Sequence, residues 1–205
     1  MIRAISSELA EWLAMENAIS ENDRPLFAYA VYSLLFGLSP MFITIILGFI
    51  FDMVYEGIVL IVPFIFIRRF SGGQHLKSSV TCLILSTCLL IIAFFAIRII
   101  RNCGSVSTIS AAVLASIVSI CIFSPIDSSA RKLSSSQTRI FGTIARVLSI
   151  AFGGLYLLLV ATGRQDIAVP LGIGITIPAI LLVPCLIQKL YSWSKRLSAL
   201  YKRPK

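Results

Sequence analysis

The sequence predicts an all-α polytopic membrane protein with about six transmembrane helices. Hydrophobic residues make up 58% of the 205 residues, charged residues make up only 13%, and the mean hydropathy is +0.94. The charged fraction is about half the roughly 25% typical of soluble domains, which could not bury this much apolar surface. We expect a single membrane-embedded domain over 1–205, with an amphipathic segment at 1–23, a transmembrane bundle at 26–187 and a basic tail at 188–205.

The N-terminal segment has the spacing of an amphipathic helix. Its large apolar residues recur at the interval of one helix face, at Ile2, Ile5, Leu9, Trp12, Leu13 and Ile19. Four glutamates interrupt the segment, so it lacks the unbroken apolar core of a cleavable signal peptide. The pattern fits either a helix lying in the membrane interface or a helix packed on the bundle.

Six apolar stretches follow, and a helix needs about 20 residues to cross a bilayer. They run over 26–51, 57–67, 79–97, 105–123, 140–161 and 167–187. The second stretch is short, and only Asp52 and Glu56 divide it from the first. After the last stretch, aromatic and leucine residues alternate with basic ones, which predicts a basic C-terminal interfacial helix.

Basic residues are distributed unevenly about these spans. With the N-terminus inside, a six-span plan leaves Arg146 within the fifth span and only Arg98, Arg101 and Arg164 outside. The remaining basic residues lie inside: Arg3, Arg24, Arg68, Arg69, Lys77, Arg131, Lys132, Arg139, Lys189, Lys195, Arg196, Lys202, Arg203 and Lys205. Because cytoplasmic loops of membrane proteins are enriched in Lys and Arg, we expect both termini on the cytoplasmic side.

The single histidine precedes a cysteine by seven positions, where a basic loop meets the third apolar stretch. A thiol with an imidazole nearby is the minimum apparatus for cysteine acyl transfer. On one regular helix, His75 and Cys82 would be about 10.5 Å apart along the axis, whereas proton transfer needs roughly 3 Å. A dyad therefore requires His75 to lie off the helix of Cys82, and the flexible Gly72-Gly73 pair allows this. The positive end of that helix would favour the Cys82 thiolate.

The remaining cysteines are predicted to pack as small apolar residues. Five cysteines are an odd number, and their spacing fits neither a disulfide framework nor a metal site. We expect no metal and no cofactor. Packing is also the alternative for Cys82, and an ordinary surface loop is the alternative for His75.

Two sequence blocks resemble the accessory gene regulator B family of membrane cysteine endopeptidases. The first is Arg68-Arg69-Phe70-Ser71-Gly72-Gly73-Gln74-His75, followed by six residues and Cys82. The second runs from Ser124-Pro125-Ile126-Asp127 to Arg131-Lys132 after the fourth stretch. The resemblance covers nearly the whole chain and implies a protease that processes a quorum-sensing propeptide in the cell membrane. The distribution of basic residues predicts that its active site lies on the cytoplasmic side.

The resemblance implies that Cys82 attacks a carbonyl near the C-terminal end of the propeptide, with His75 as base. A thioester acyl-enzyme forms, and an internal Cys or Ser of the peptide then displaces Cys82, closing a thiolactone or lactone. Candidate supporting residues are Arg69, Gly72, Gly73, Gln74, Asp127, Arg131, Lys132 and Arg146. Asp127 could orient His75, cap a loop or pair with Arg131. Arg146 could snorkel to the surface, pair with Asp127 or hold a substrate carboxylate.

The expected partners follow from the charge and from the resemblance. A net charge of +9 suits a short amphipathic propeptide with an acidic tail, and it equally suits anionic membrane lipid. We expect no nucleic-acid partner, and a homodimer is compatible with the sequence. The alternative functions are a transporter or peptide exporter without proteolytic activity and a non-catalytic membrane scaffold.

Overall fold

Seven α-helices make up most of the described part of the chain. The computed structural model describes residues 2–16, 18–71, 79–103, 106–125 and 135–201. The helices are α1 (Ile2–Met15), α2 (Arg24–Phe51), α3 (Val54–Ser71), α4 (Ser79–Cys103), α5 (Val106–Phe123), α6 (Ser135–Ala161) and α7 (Gln165–Tyr201), and a 3₁₀ turn at Glu21–Asp23 precedes α2. The described ranges contain no β-strand, so the predicted all-α polytopic membrane fold is confirmed.

The chain divides into two compact units, Met1–Ile43 and Thr44–Lys205. In the first unit, α1 presents its large apolar side chains to the surroundings: Ile5, Leu9, Trp12 and Met15 are all exposed. Small residues at Ser6, Ala10 and Ala14 form its buried face. An ion pair of 2.9 Å between Arg24 Nη2 and Glu11 Oε2 joins the start of α2 to α1. The predicted amphipathic stripe is therefore present and exposed.

The second unit is organised around α7, which packs against α3, α5, α6 and α4. Within the most apolar 18 residues of the stretch Gln165–Pro184, 67% of the residues are buried, whereas the corresponding segments of the other long apolar helices bury 17% to 22%. Glycines allow this close packing. A Cβ at Gly174 would strike the carbonyl oxygen of Leu60 on α3, and one at Gly172 would lie 2.9 Å from Cε2 of Tyr156 on α6.

Two tight turns reverse the chain with the same hydrogen-bond pattern. After α2, Met53 N–H donates to Gly48 O at 2.8 Å and Asp52 N–H donates to Phe49 O at 3.4 Å. After α6, Arg164 N–H donates to Leu159 O and Gly163 N–H donates to Val160 O. The pivot residues Asp52 (φ 57°) and Gly163 (φ 72°) have left-handed backbones, as this type of helix C-cap requires.

Hydroxyl groups within the helices are satisfied locally. The side chains of Thr87, Ser110, Ser116, Ser119, Thr143, Ser149, Thr162 and Thr176 each donate to the carbonyl four residues earlier. Among the described residues, no buried side-chain oxygen or nitrogen lacks a hydrogen-bond partner. Such pairing is needed in hydrocarbon, where water cannot replace a missing partner.

Five of the described helices are long and apolar enough to cross a membrane. They are Glu21–Phe51, Leu83–Cys103, Val106–Phe123, Gln137–Ala161 and Gln165–Pro184. The second predicted span, 57–67, lies within α3, which forms a helix of 18 residues but is not among the five. Its first turn carries Glu56 and its last turn carries Arg68 and Arg69, so its apolar portion is short. The predicted C-terminal tail begins inside α7, because one continuous helix extends through Tyr201.

Candidate functional site

The described residues include only part of the predicted catalytic apparatus. Cys82 lies three residues after Ser79, the first residue of α4, and its side-chain position is outside what the structure describes. His75 and the preceding Gly72, Gly73 and Gln74 lie outside the described residues. That His75 lies off the helix of Cys82 therefore stays a prediction.

Other cysteines differ from Cys82 in depth along the helices. Cys88 is six residues further into α4, about 9 Å along the axis, and its side chain is exposed on the outer surface of the helix. Cys103, at the far end of α4, is exposed, and Cys121 on α5 is half-buried. Cys82 therefore lies nearer the start of α4 than the other cysteines of that helix.

The structure brings together the described edges of the two sequence blocks. Ser71, the last residue before Gly72, is fully buried, and its carbonyl oxygen accepts a hydrogen bond of 3.3 Å from the hydroxyl of Ser124. The rings of Phe70 and Phe141 meet edge to face with centroids 5.9 Å apart. The end of α3, the end of α5 and the start of α6 thus converge at one place. The segments holding His75 and Asp127 both leave from this junction.

Packing at the junction depends on the absence of one side chain. Gly142 of α6 is buried, and a Cβ there would lie 2.8 Å from Pro125 Cδ and 3.4 Å from Ser124 O. The chain after α5 can therefore lie directly against the α6 backbone, with Ser124 held between α3 and α6.

Among the predicted supporting residues, the structure describes the side chains of two. Arg69 is exposed in the last turn of α3. Arg146 is exposed on α6, and its Nε donates a hydrogen bond of 3.0 Å to the carbonyl oxygen of Cys121 on α5. Asp127, Arg131 and Lys132 lie outside the described residues.

An open cleft beside the junction contains a residue whose role the sequence analysis missed. The cleft has a volume of about 540 Å³, and its lining consists of Pro125, Thr138, Arg139, Gly142, Thr143 and Arg146. Arg139 entered the sequence analysis only as one of the cytoplasmic charges. The spacing of Arg139, Gly142, Thr143 and Arg146 at i, i+3, i+4 and i+7 marks one helix face, and this signal could have identified the cleft.

The described part of the chain contains no cluster of side chains suited to a metal ion. Within it, no group of three or more His, Cys, Asp or Glu side chains could hold a metal ion. The groups that the structure describes at the junction are hydroxyls and guanidinium groups.

Comparison with known proteins gives one family. The family model described as accessory gene regulator B matches residues 6–186. An AgrB-like protein of Clostridium perfringens is 29% identical over 98 residues, which are 48% of this chain and 46% of that protein. The match thus spans about half the length of this curated relative. No solved structure matches the chain.

Proposed function

Because this chain belongs to the accessory gene regulator B family, we propose that it is a membrane-embedded cysteine endopeptidase of a quorum-sensing system. Its substrate is a short amphipathic propeptide with an acidic C-terminal tail. It cleaves the C-terminal region of this propeptide and promotes closure of the remaining peptide into a thiolactone or lactone. Family membership supports the role in propeptide processing, and the residues of this chain support the cysteine chemistry.

The main structural support for this proposal is the hydrogen bond that the Ser124 hydroxyl donates to Ser71 O, because it joins the two sequence blocks. The first block continues from Ser71 towards His75 and Cys82, and the second continues from Ser124 towards Asp127. Two segments separated by more than 50 residues in sequence are therefore anchored at one point. Such an anchor can hold a nucleophile, a base and an orienting carboxylate within reach of one another.

The proposed reaction has two acyl transfers. The Cys82 thiolate attacks the scissile carbonyl carbon, the carbon–nitrogen bond breaks, and the leaving amine takes a proton from the His75 imidazolium. A thiol or hydroxyl of the bound peptide then gives its proton to His75 and attacks the thioester, which releases the Cys82 thiolate. Exclusion of water from a site at the membrane edge favours the peptide nucleophile over hydrolysis.

Separate cysteine variants test the proposal. The full chain in lipid vesicles is incubated with propeptide, and mass spectrometry follows both free products and peptide bound to the protein. Cys82→Ala should abolish cleavage and the covalent adduct, because the covalent route is lost. Its effect on stability should be about 1 kcal/mol, since one sulfur near the helix start is removed.

The matched control replaces Cys88, Cys103, Cys121 and Cys185 by Ala together, and it should keep cleavage. His75→Ala should slow cleavage severely while leaving the protein folded, because the thiol loses its base. If the four-cysteine variant is inactive and Cys82→Ala still processes the peptide, the nucleophile is misassigned. Transport of uncleaved peptide by the Cys82→Ala protein, without any cleavage by the wild type, would favour the exporter instead.

A further inference from the structure

The cleft between the end of α5 and the start of α6 contains two arginines, and exposed apolar side chains of both helices surround it. Arg139 and Arg146 are seven residues apart on α6, so they share a helix face about 10.5 Å apart along the axis. Thr143, Gly142 and Pro125 line the space between them. Because Gly142 has no side chain, the cleft floor there is backbone, and the two long side chains can converge over it.

Neither arginine forms an ion pair with a carboxylate of the described residues. Among the described residues, the ion pairs join Arg24 to Glu11 and Glu21, Arg101 to Glu56, and Arg164 to Asp166. Arg146 uses its Nε for the carbonyl of Cys121, and this hydrogen bond fixes the plane of its guanidinium. Its two terminal nitrogens have no hydrogen-bond partner among the described residues, and Arg139 adds a second positive charge on the same face.

The depth of Arg146 makes an anion favourable there. It lies six residues beyond Ile140, where the apolar stretch of α6 begins, which is about 9 Å along the helix. A cation at this depth in hydrocarbon is costly unless it is paired or reaches the polar interface. One carbonyl oxygen supplies a single acceptor, so further acceptors are needed for the remaining donors.

The residues around the cleft indicate whether the anion belongs to a lipid or to a soluble molecule. The neighbouring surface of α5 and α6 is apolar and exposed at Ile122, Phe123, Ile140, Val147 and Ile150. In a membrane protein such a surface faces acyl chains rather than water. A phospholipid that lies along it would bring its phosphate to the cleft, whereas a soluble carboxylate would have to leave water to reach it.

We propose that this cleft binds the phosphate of an anionic glycerophospholipid, with Arg139 and Arg146 as its donors and the exposed apolar residues of α5 and α6 against its acyl chains. Guanidinium groups suit this role because they form paired hydrogen bonds to phosphate oxygens. The cleft volume of about 540 Å³ lies in the range of small-molecule sites. The bound lipid would hold the start of α6 against the end of α5, beside the Ser71–Ser124 junction.

Native mass spectrometry of the full chain tests the proposal. The protein is placed in mixed micelles with equal amounts of phosphatidylglycerol and phosphatidylcholine, and the lipids retained after detergent removal are counted. Wild type should retain phosphatidylglycerol in preference to phosphatidylcholine. The double variant Arg139→Gln/Arg146→Gln should lose this preference, by about fivefold for each arginine removed.

The matched control is Arg98→Gln/Arg164→Gln, which removes two exposed arginines outside the cleft and should retain the lipid as wild type does. If the double variant does not fold, lipid retention by the single variant Arg139→Gln tests the proposal instead. The Arg139 side chain makes no hydrogen bond or ion pair with described residues, so this variant should fold and lose about fivefold in retention.

Three results would overturn the proposal. Equal loss in the control would show diffuse attraction to basic residues. Displacement of the lipid by millimolar inorganic phosphate would show a site for free phosphate. Retention of an acidic peptide that depends on both cleft arginines, without retention of phosphatidylglycerol, would assign the cleft to a peptide carboxylate.

Discussion

Single residues at the two helix reversals test how much the turn geometry contributes to stability. Gly163 and Asp52 occupy the same left-handed position in the two turns, but only Gly163 is free of a Cβ. Gly163→Ala should lower the stability by about 1 kcal/mol, because a Cβ strains the left-handed backbone. Asp52→Gly should raise it by up to about 1 kcal/mol for the opposite reason. Reversible unfolding of the full chain in mixed micelles measures both changes.

Gly154→Ala serves as the control for the turn variants, because Gly154 is helical and no atom lies within 4 Å of a Cβ built there. It should leave stability unchanged or raise it slightly. Equal destabilisation by Gly163→Ala and Gly154→Ala would argue against a special role for the left-handed position.

The sequence selected some candidate site residues, whose roles stay predictions, and missed others for a physical reason. Cys82 and His75 have distinctive chemistry and spacing, so a pattern in one segment was enough to select them. Arg139 gains its significance from Pro125 and Arg146, and Ser71 is joined by a hydrogen bond to Ser124, which follows α5. Contacts between distant segments leave no local pattern, and only the folded chain reveals them.

At the scale of helices, the contact between α3 and α7 depends on the missing side chain of Gly174. A Cβ there would strike Leu60 O and would lie 2.7 Å from Pro63 Cγ. Backbone and proline ring cannot rotate away, so Gly174→Ala should force the two helices apart and destabilise the protein by about 1–3 kcal/mol. Unfolding in mixed micelles measures this loss, with Gly154→Ala again as control. Unchanged stability of Gly174→Ala would mean that α3 and α7 approach less closely than described.

The positions of the helices along the chain were largely predictable from the sequence, whereas the residues at which they end were not. Apolar stretches of about 20 residues correctly located α2 and α4–α7, because hydrocarbon selects for length and composition. The composition of the sequence changes after residue 187 and predicted a separate tail there, but α7 continues to Tyr201. Polar residues can prolong a helix beyond the bilayer because its backbone hydrogen bonds are internal, so a change in composition does not end a helix. The exposure of Ile5, Leu9, Trp12 and Met15 agrees with the amphipathic pattern predicted for α1.

For the whole molecule, α3 determines whether the two termini lie on the same side. Its 18 residues span about 27 Å, close to the hydrocarbon thickness of about 30 Å. One face, with Leu60 and Ile67, is buried, and the opposite face exposes Ile58, Val62 and Phe66. Glu56 at its start pairs with Arg101 at the end of α4. A helix that is apolar on both faces and charged at both ends is typical of a membrane crossing.

We therefore expect α3 to cross the membrane as well, which brings the number of spans to six and places both termini on the cytoplasmic side. All native cysteines are replaced, and a single cysteine is then introduced at Arg3 or at Lys205. Each of the two single-cysteine variants should react with a membrane-impermeant maleimide only when the cytoplasmic side is accessible. A cysteine at Arg98 should react from the other side and serves as the control. Reaction of the Arg3 and Lys205 positions from opposite sides would contradict a crossing by α3.

The central position of α7 has a consequence for biosynthesis. Ribosomes release a chain from its N-terminus, so α3, α5 and α6 enter the bilayer before the helix on which they all pack. Until α7 arrives, the groove that receives Gly172 and Gly174 must be filled by lipid or by an insertion chaperone. Assembly of this bundle is thus completed only after α7 has been synthesised and inserted.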